Sequence, residues 1–156
     1  MIDSLQKHQY DYYIDAHGNW FCEGNRVVDQ QLLRVLSRSL YAQGAGFFVR
    51  CEGEVHPVRV ADAPLWIRYV HLQKDERGEL IRIEIELTDG RREDLDGETL
   101  SIANEQALYC LATHRRLKAR FGKVAYYELA RHVQTDDEGS SFYFVINGRR
   151  CNVQPE

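Results

Sequence analysis

Arg116, Lys118 and Arg120 alternate with Leu117, Ala119 and Phe121, and this is the pattern in the chain best suited to chemistry. If Leu117 to Phe121 is a strand, the three cations share one face, because successive strand side chains point to opposite sides. Arg115 and Lys123 lie close by in sequence. Guanidinium groups offer paired donors to phosphate oxygens, so the stripe can clamp an anion. It equally suits the solvated face of an edge strand, where Lys and Arg discourage unwanted pairing.

Glu54 and Asp62 lie on and just after one strand-like segment. Two carboxylates can do acid–base work when their surroundings split their pKa values. They can also hold Mg²⁺ or pair with an arginine. An ion pair with Arg120 that holds two halves of the chain together is favoured over catalysis. Trp20, Tyr109, Tyr126 and Tyr127 offer flat rings on which a base could stack, or which could fill a core.

Other chemistries lack their residues. His8, His17, His56, His71, His114 and His132 are scattered, with no H-E-x-x-H spacing, so no metal is expected. The glycines form neither a dinucleotide nor a P-loop fingerprint. Ser101, Ser140 and Ser141 lack a G-x-S-x-G context. Cys22, Cys51, Cys110 and Cys151 form no C-x-x-C pair and read as small buried thiols. No cofactor is expected, and a non-enzymatic role is favoured.

Periodicity indicates the elements that must position these residues. Asp29 to Leu40 is a helix with Asp29 as N-cap. Leu32, Leu33, Val35, Leu36 and Leu40 form its apolar face, and Gly44 and Gly46 stop it. Lys123 to Val133 is a second helix that buries Val124, Tyr126 or Tyr127, Leu129, Ala130 and Val133. Leu80 to Thr88 alternates, with Ile81, Ile83, Ile85 and Leu87 inward and Arg82, Glu84 and Glu86 outward. Leu65 to Leu72, Ala107 to Ala112 and Leu117 to Phe121 are further strands. Phe47 to Cys51 and Glu54 to Val60 form a hairpin turned at Glu52-Gly53. Phe142 to Ile146 and Arg149 to Val153 form another, turned at Asn147-Gly148.

A chain of 156 residues can bury about 70% of its unfolded surface without a disulfide or metal. Its net charge of -4 provides no basic surplus for phosphate neutralisation, which argues against nucleic acid as partner. Met1 to Tyr10 is polar and no stretch has the 18 or so apolar residues of a membrane span. A cytoplasmic protein with no membrane span is expected.

The chain also matches itself. At one constant offset Arg26-Val27-Val28 falls on Lys123-Val124-Ala125, Leu32 on Leu129, Leu33 on Ala130 and Leu36 on Val133. After a two-residue gap, Phe47-Phe48-Val49 falls on Phe142-Tyr143-Phe144, Glu52-Gly53 on Asn147-Gly148, and Val58 on Val153. The expected fold is therefore α+β. It consists of two diverged β-α-β-β repeats over 1–64 and 65–156, mostly antiparallel sheets each with one main helix. A hairpin region near Leu65 to Leu87 joins them. Neither copy buries its apolar face well alone, so the copies should share an interface, and clefts at such seams often take ligands.

Ile14-Asp15-x-x-Gly18-x-Trp20, the helix Leu32 to Leu36, and Glu54-x-x-x-Val58-x-Val60-x-Asp62-Ala63-Pro64 resemble the first half of a bacterial family catalogued as domain-of-unknown-function family 1285. Tyr109-x-x-x-Thr113, Leu117-x-Ala119-Arg120-Phe121 and Tyr126-Tyr127-Glu128-Leu129 resemble its second half. Cys51-Glu52 stands where the family usually has Thr-Pro. The resemblance implies a duplicated α+β fold whose C-terminal half is superficially like a pleckstrin-homology domain. It also implies a nucleotide-type ligand between the halves and a role in signal transduction.

The function expected is a regulatory or sensor protein that binds a small anionic, nucleotide-like ligand at the interface of its halves. Arg120 and Lys118 would meet the phosphate. Glu54 and Asp62 would orient the arginine or accept from a ribose or base, and Tyr109 or Tyr127 would stack. The alternative is a protein-interaction domain for a signalling partner, with Leu80 to Thr88 as a docking edge.

Overall fold

A computed structural model of the chain describes residues 9–104 and 107–156; His8 and the polar stretch around it lie outside these. The chain divides after Pro64 into two compact units.

The N-terminal unit contains β1 (Tyr12–Ile14), β2 (Trp20–Cys22), β3 (Asn25–Arg26), α1 (Gln30–Ser39), β4 (Tyr41–Gln43), β5 (Gly46–Cys51) and β6 (Glu54–Val60). Its sheet has the order β3-β2-β1-β6-β5-β4. The pairings are antiparallel except for β1, which runs parallel to β6. Ile14, Leu36 and Val49 are fully buried. His56 is a core residue, 3% exposed. Its Nδ1 accepts from the Tyr10 N–H at 3.1 Å, which explains how a polar ring is accommodated there.

Asp29 caps α1 as expected, its carboxylate accepting from the Gln31 and Leu32 amides at 2.9 and 3.1 Å. The buried face differs from the expected one. Leu36, Ser37 and Leu40 are buried, whereas Leu32 and Val35 are 40% and 52% exposed. Val35 sits about 100° round the helix from Leu36 and so points away from the sheet. Gly44 and Gly46 do not stop the helix, which ends at Ser39; they shape the β4–β5 turn, where Gly44 has a φ of 61°.

The C-terminal unit contains β7 (Leu65–Lys74), β8 (Leu80–Leu87), β9 (Arg92–Asp94), β10 (Ser101–Ala103), β11 (Ala107–Ala112), β12 (Leu117–Phe121), α2 (Lys123–Ala130), β13 (Gln134–Thr135), β14 (Phe142–Ile146), β15 (Arg149–Asn152) and β16 (Gln154–Pro155). Seven strands form one sheet in the order β16-β10-β11-β12-β7-β8-β9, and three form a second, β13-β14-β15. The fold is thus α+β, mostly strand, in mixed sheets with two helices: β12 runs parallel to β7 and β10 to β16. Leu65, Ile67, Cys110, Ala119, Ile85 and Leu87 make the core face of the large sheet. Leu129 and Ala125 of α2 and Phe144 of β14 are buried with them.

Several sequence expectations are corrected here. The β7–β8 hairpin is no connector, because it forms part of the seven-stranded sheet. β12 is not an edge strand, since it lies between β11 and β7. β8 offers no docking edge: β9 pairs with it over Glu84–Glu86, and beyond β9 the carbonyls of Ile83 and Leu80 accept from the Leu95 and Asn147 amides at 2.9 and 2.8 Å. A register shift near Lys74 buries Leu80 and leaves Ile81 half-buried, because a bulge resets the two-residue alternation. α2 ends at Ala130, with Val124 and Val133 62% and 37% exposed. Cys22 and Cys51 are only half-buried.

The two hairpins match closely. Glu52-Gly53 and Asn147-Gly148 both take left-handed pairs, φ 52° and 79° against 52° and 75°, the geometry a two-residue hairpin turn needs. Val49 and Phe144, aligned by sequence, are 0% and 2% exposed. The helix alignment is different. It set Leu32 on Leu129 and Leu36 on Val133, but the helix residues with 0% exposure are Leu36 in α1 and Ala125 and Leu129 in α2.

Candidate functional site

Strand pairing creates the site. Trp66 on β7 stands opposite Arg120 on β12, Arg120 opposite Tyr109 on β11, Tyr109 opposite Ser101 on β10, and Ser101 opposite Gln154 on β16. Residues paired across a sheet share a face. Leu117, Ala119 and Phe121 are buried, and Lys118 and Arg120 are half-buried between them. The alternation read from the sequence therefore sends both cations to the face opposite the core.

The cations rest on rings. The Arg120 guanidinium carbon lies 5.2 Å from the Trp66 ring centroid and 5.9 Å from that of Tyr109. The Lys118 ammonium lies 4.0 Å from the Tyr109 centroid. All three distances fall within reach of the electron-rich ring face. Lys118 also pairs with the Glu156 carboxylate, and Glu156 Oε2 accepts from the Ser101 hydroxyl at 2.9 Å. Adjacent same-side positions on a strand are roughly 7 Å apart, so Lys118 and Arg120 can both meet one phosphate or carboxylate group.

Tyr109 is 4% exposed, with a cation over its ring. A base has no open face there, and Trp66, half-buried, is the ring with accessible surface. Tyr127 lies on α2, 49% exposed, its ring edge-on to Tyr126 at 5.3 Å. Arg116 is exposed at the mouth of β12. Arg115 faces Asp96 at 2.7 Å and Glu98 at 3.4 Å.

Glu54 and Asp62 fall in the N-terminal unit. Glu54 opens β6, and its Oε2 is 3.8 Å from His56 Nε2. Asp62 follows the far end of the same strand. An extended strand from Glu54 to Val60 spans roughly 20 Å. The two carboxylates therefore cannot share a proton or a metal ion. Among the described residues no group of three or more His, Cys, Asp or Glu side chains is placed to hold a metal.

Three of the four thiols are poor nucleophiles. Burial pushes Cys22, Cys110 and Cys151 above the ordinary thiol value, which disfavours the reactive thiolate.

Sequence reasoning missed Trp66, Ser101 and Glu156, which join the site through pairings of β7 with β12 and of β10 with β11 and β16. In the turn that joins β11 to β12, Thr113, His114 and Arg115 all have left-handed φ angles of 53°, 59° and 64°. Such residues cost about 1–2 kcal/mol each. Here the Glu93 carboxylate accepts from the Thr113 amide at 3.1 Å and the Arg115–Asp96 pair anchors the far end. An open groove of about 700 Å³ adjoins this turn, with Asp96, Glu98, Arg115, Arg149 and Cys151 in its lining. Its arginines face Asp96 and Glu98.

No described helix is long and apolar enough to cross a membrane. No family model matches the chain, and no curated protein matches it in sequence. Two solved structures match it in fold. One is the crystal structure of a DUF1285 family protein from Silicibacter pomeroyi, at TM-score 0.76 and 20% identity, covering 94% of this chain and 80% of that one. The other is a DUF1285 family protein from Shewanella baltica, at TM-score 0.60 and 19% identity, covering 77% of this chain and 90% of that one. What the chain shares with these DUF1285 proteins is the fold, and the resemblance expected from its residues is shown at that level.

Proposed function

We propose that the protein is a cytoplasmic regulatory or sensor module that binds a small anionic, nucleotide-like ligand. One observation carries this reading: Lys118 and Arg120 stand on the same sheet face, held over the rings of Tyr109 and Trp66. Two cations fixed on rings lose little side-chain freedom when an anion arrives, which favours binding. Trp66, rather than Tyr109, takes the stacking role, since it keeps accessible surface. The Ser101 hydroxyl and the Glu156 carboxylate beside the pair are taken as part of the anion-binding set, so the module is read as binding and signalling.

The same reading takes the chain as two diverged copies of one motif and the C-terminal unit as pleckstrin-homology-like. Support for duplication comes from the matched left-handed turns at Glu52-Gly53 and Asn147-Gly148. Support for the module type is the seven-stranded sheet with one α-helix directly after its strand β12.

Thermal unfolding against a panel of nucleotides and phosphorylated metabolites tests the proposal, in wild type and Arg120→Ala. A ligand at 100 times its dissociation constant adds about 2.7 kcal/mol to the native state, a rise of several degrees at this size. The expected result is a rise in wild type that is lost in Arg120→Ala. No rise with any compound overturns the reading and leaves a protein-interaction module as the rival.

A further inference from the structure

We infer that the Glu156 carboxylate is a built-in stand-in for the ligand's anionic group, and that an incoming phosphate or carboxylate takes its place between Ser101 and Lys118. This inference rests on the anion-site reading above and specifies where the anion sits and what it must displace.

The position is defined on several sides. Glu156 directly follows the short strand β16, which lies at the end of the large sheet and pairs through Gln154 and Pro155 with β10. The Gln154 amide donates to the Leu100 carbonyl at 3.0 Å, and the Glu156 amide donates to the Ile102 carbonyl at 2.9 Å. These bonds fix where the side chain starts. Its two oxygens then divide: Oε2 accepts from the Ser101 hydroxyl at 2.9 Å, and Oε1 meets the Lys118 ammonium. The buried ring of Tyr109 lies 4.0 Å from that ammonium, and Arg120 flanks the same ring at 5.9 Å.

A hydroxyl donor, an ammonium and a nearby guanidinium, arranged about one carboxylate, make a recognition set for a compact oxyanion. Phosphoryl and carboxylate groups present the same oxygen acceptors, so both classes fit. Lys118 and Glu156 are 32% and 34% exposed, so a dissolved anion can reach the ammonium without opening the core. Exchange keeps a negative group at Lys118: one carboxylate leaves and one anion arrives. The backbone bonds of β16 can persist while the Glu156 side chain swings to solvent. A built-in competitor of this kind lowers the apparent affinity for every external anion by the fraction of time that it occupies the place.

Isothermal titration with inorganic pyrophosphate, and separately with succinate, into the whole protein tests this. Four proteins are compared: wild type, Glu156→Gln, Lys118→Met and the Glu156→Gln/Lys118→Met double variant. Removing one negative charge about 4 Å from the bound anion should tighten binding by roughly fivefold or more. The expected result is that Glu156→Gln binds at least one probe that much more tightly than wild type, and that the gain vanishes in the double variant. Which probe gains tells phosphoryl from carboxylate. Equal affinity in wild type and Glu156→Gln would sink the stand-in while leaving the anion site intact. A gain that survives Lys118→Met would also overturn it, because a general change in charge would then suffice. Failure of all four proteins to bind either probe would overturn the anion site and this inference together. Unfolding midpoints of the four proteins confirm that each is folded during titration.

Discussion

The outer face of the large sheet carries two kinds of charged surface. On β8 and β9, cations meet carboxylates: Arg82 lies 2.6 Å from Asp94 and Arg92 lies 2.8 Å from Glu84. On β12, Lys118 and Arg120 rest on the rings of Tyr109 and Trp66. The first arrangement is an edge device. β9 ends the sheet, and neighbouring charges of both signs discourage a further strand from pairing there. The second lies mid-sheet, where no edge needs protection. A ring holds a cation by its quadrupole and leaves the donors on the guanidinium or ammonium able to bond elsewhere. Charges paired along the edge contribute to solubility and register, whereas the mid-sheet cations combine ring contacts with a carboxylate, Glu156 on Lys118, and so mark a place where an anion is held.

The core face supports both regions, so the largest effect should come from beneath them. Ile85 is 0% exposed and sits between Glu84 and Glu86 of the paired ladder. Ile85→Ala is expected to cost about 2–5 kcal/mol, since the lost methyl groups leave a cavity. Urea unfolding measures this, and a cost under about 1 kcal/mol would mean that the sheet is not one packed layer. Arg120→Ala ranks next. Losing its ring contacts should cost about 0.5–2 kcal/mol, read from the same titration. If Arg120→Ala proves neutral, the rings do not hold the cation and the contrast between the regions fails.

The sequence showed one side of this contrast and concealed the other. The bounds of β12 follow from two-residue alternation, because a half-buried strand writes its faces into its residues, and those of β11 and β14 from short apolar runs between turns. The same alternation placed Lys118 and Arg120 on one side. It carried no sign of what lay beneath them. Trp66 meets Arg120 through a parallel pairing with no hairpin to announce it, and Glu156 meets Ser101 through another. Strands joined by tight turns can be paired on sight, but parallel partners are set by packing of the whole unit. Reading β12 as a possible edge failed for that reason; β8 fails as a docking edge because the polar segment after it pairs with it antiparallel as β9. The helices were misread from the other side. Leu32, Val35 and Val124 are apolar and exposed, and periodicity alone cannot tell which part of a broad apolar stripe a neighbour covers.

The smallest effect should separate the two regions most cleanly. Arg92 is 48% exposed and pairs with Glu84 at 2.8 Å and Glu86 at 4.0 Å. A surface pair of this kind is worth about 0.2–1 kcal/mol, so Arg92→Gln should cost no more than that in 0.1 M NaCl. In 1 M NaCl the screening length falls to about 3 Å, and the cost should shrink toward zero. The Arg120→Ala cost depends on short-range contact with Trp66 and Tyr109, which salt screens far less. Urea is the denaturant for both, since guanidinium chloride would itself screen the charges. The expected outcome is a salt-sensitive cost at Arg92 and a persistent one at Arg120. Equal salt sensitivity at both positions would mean that Arg120 is held by charge pairing rather than by its rings, and the case for a cation mounted to receive an outside anion would fall with it.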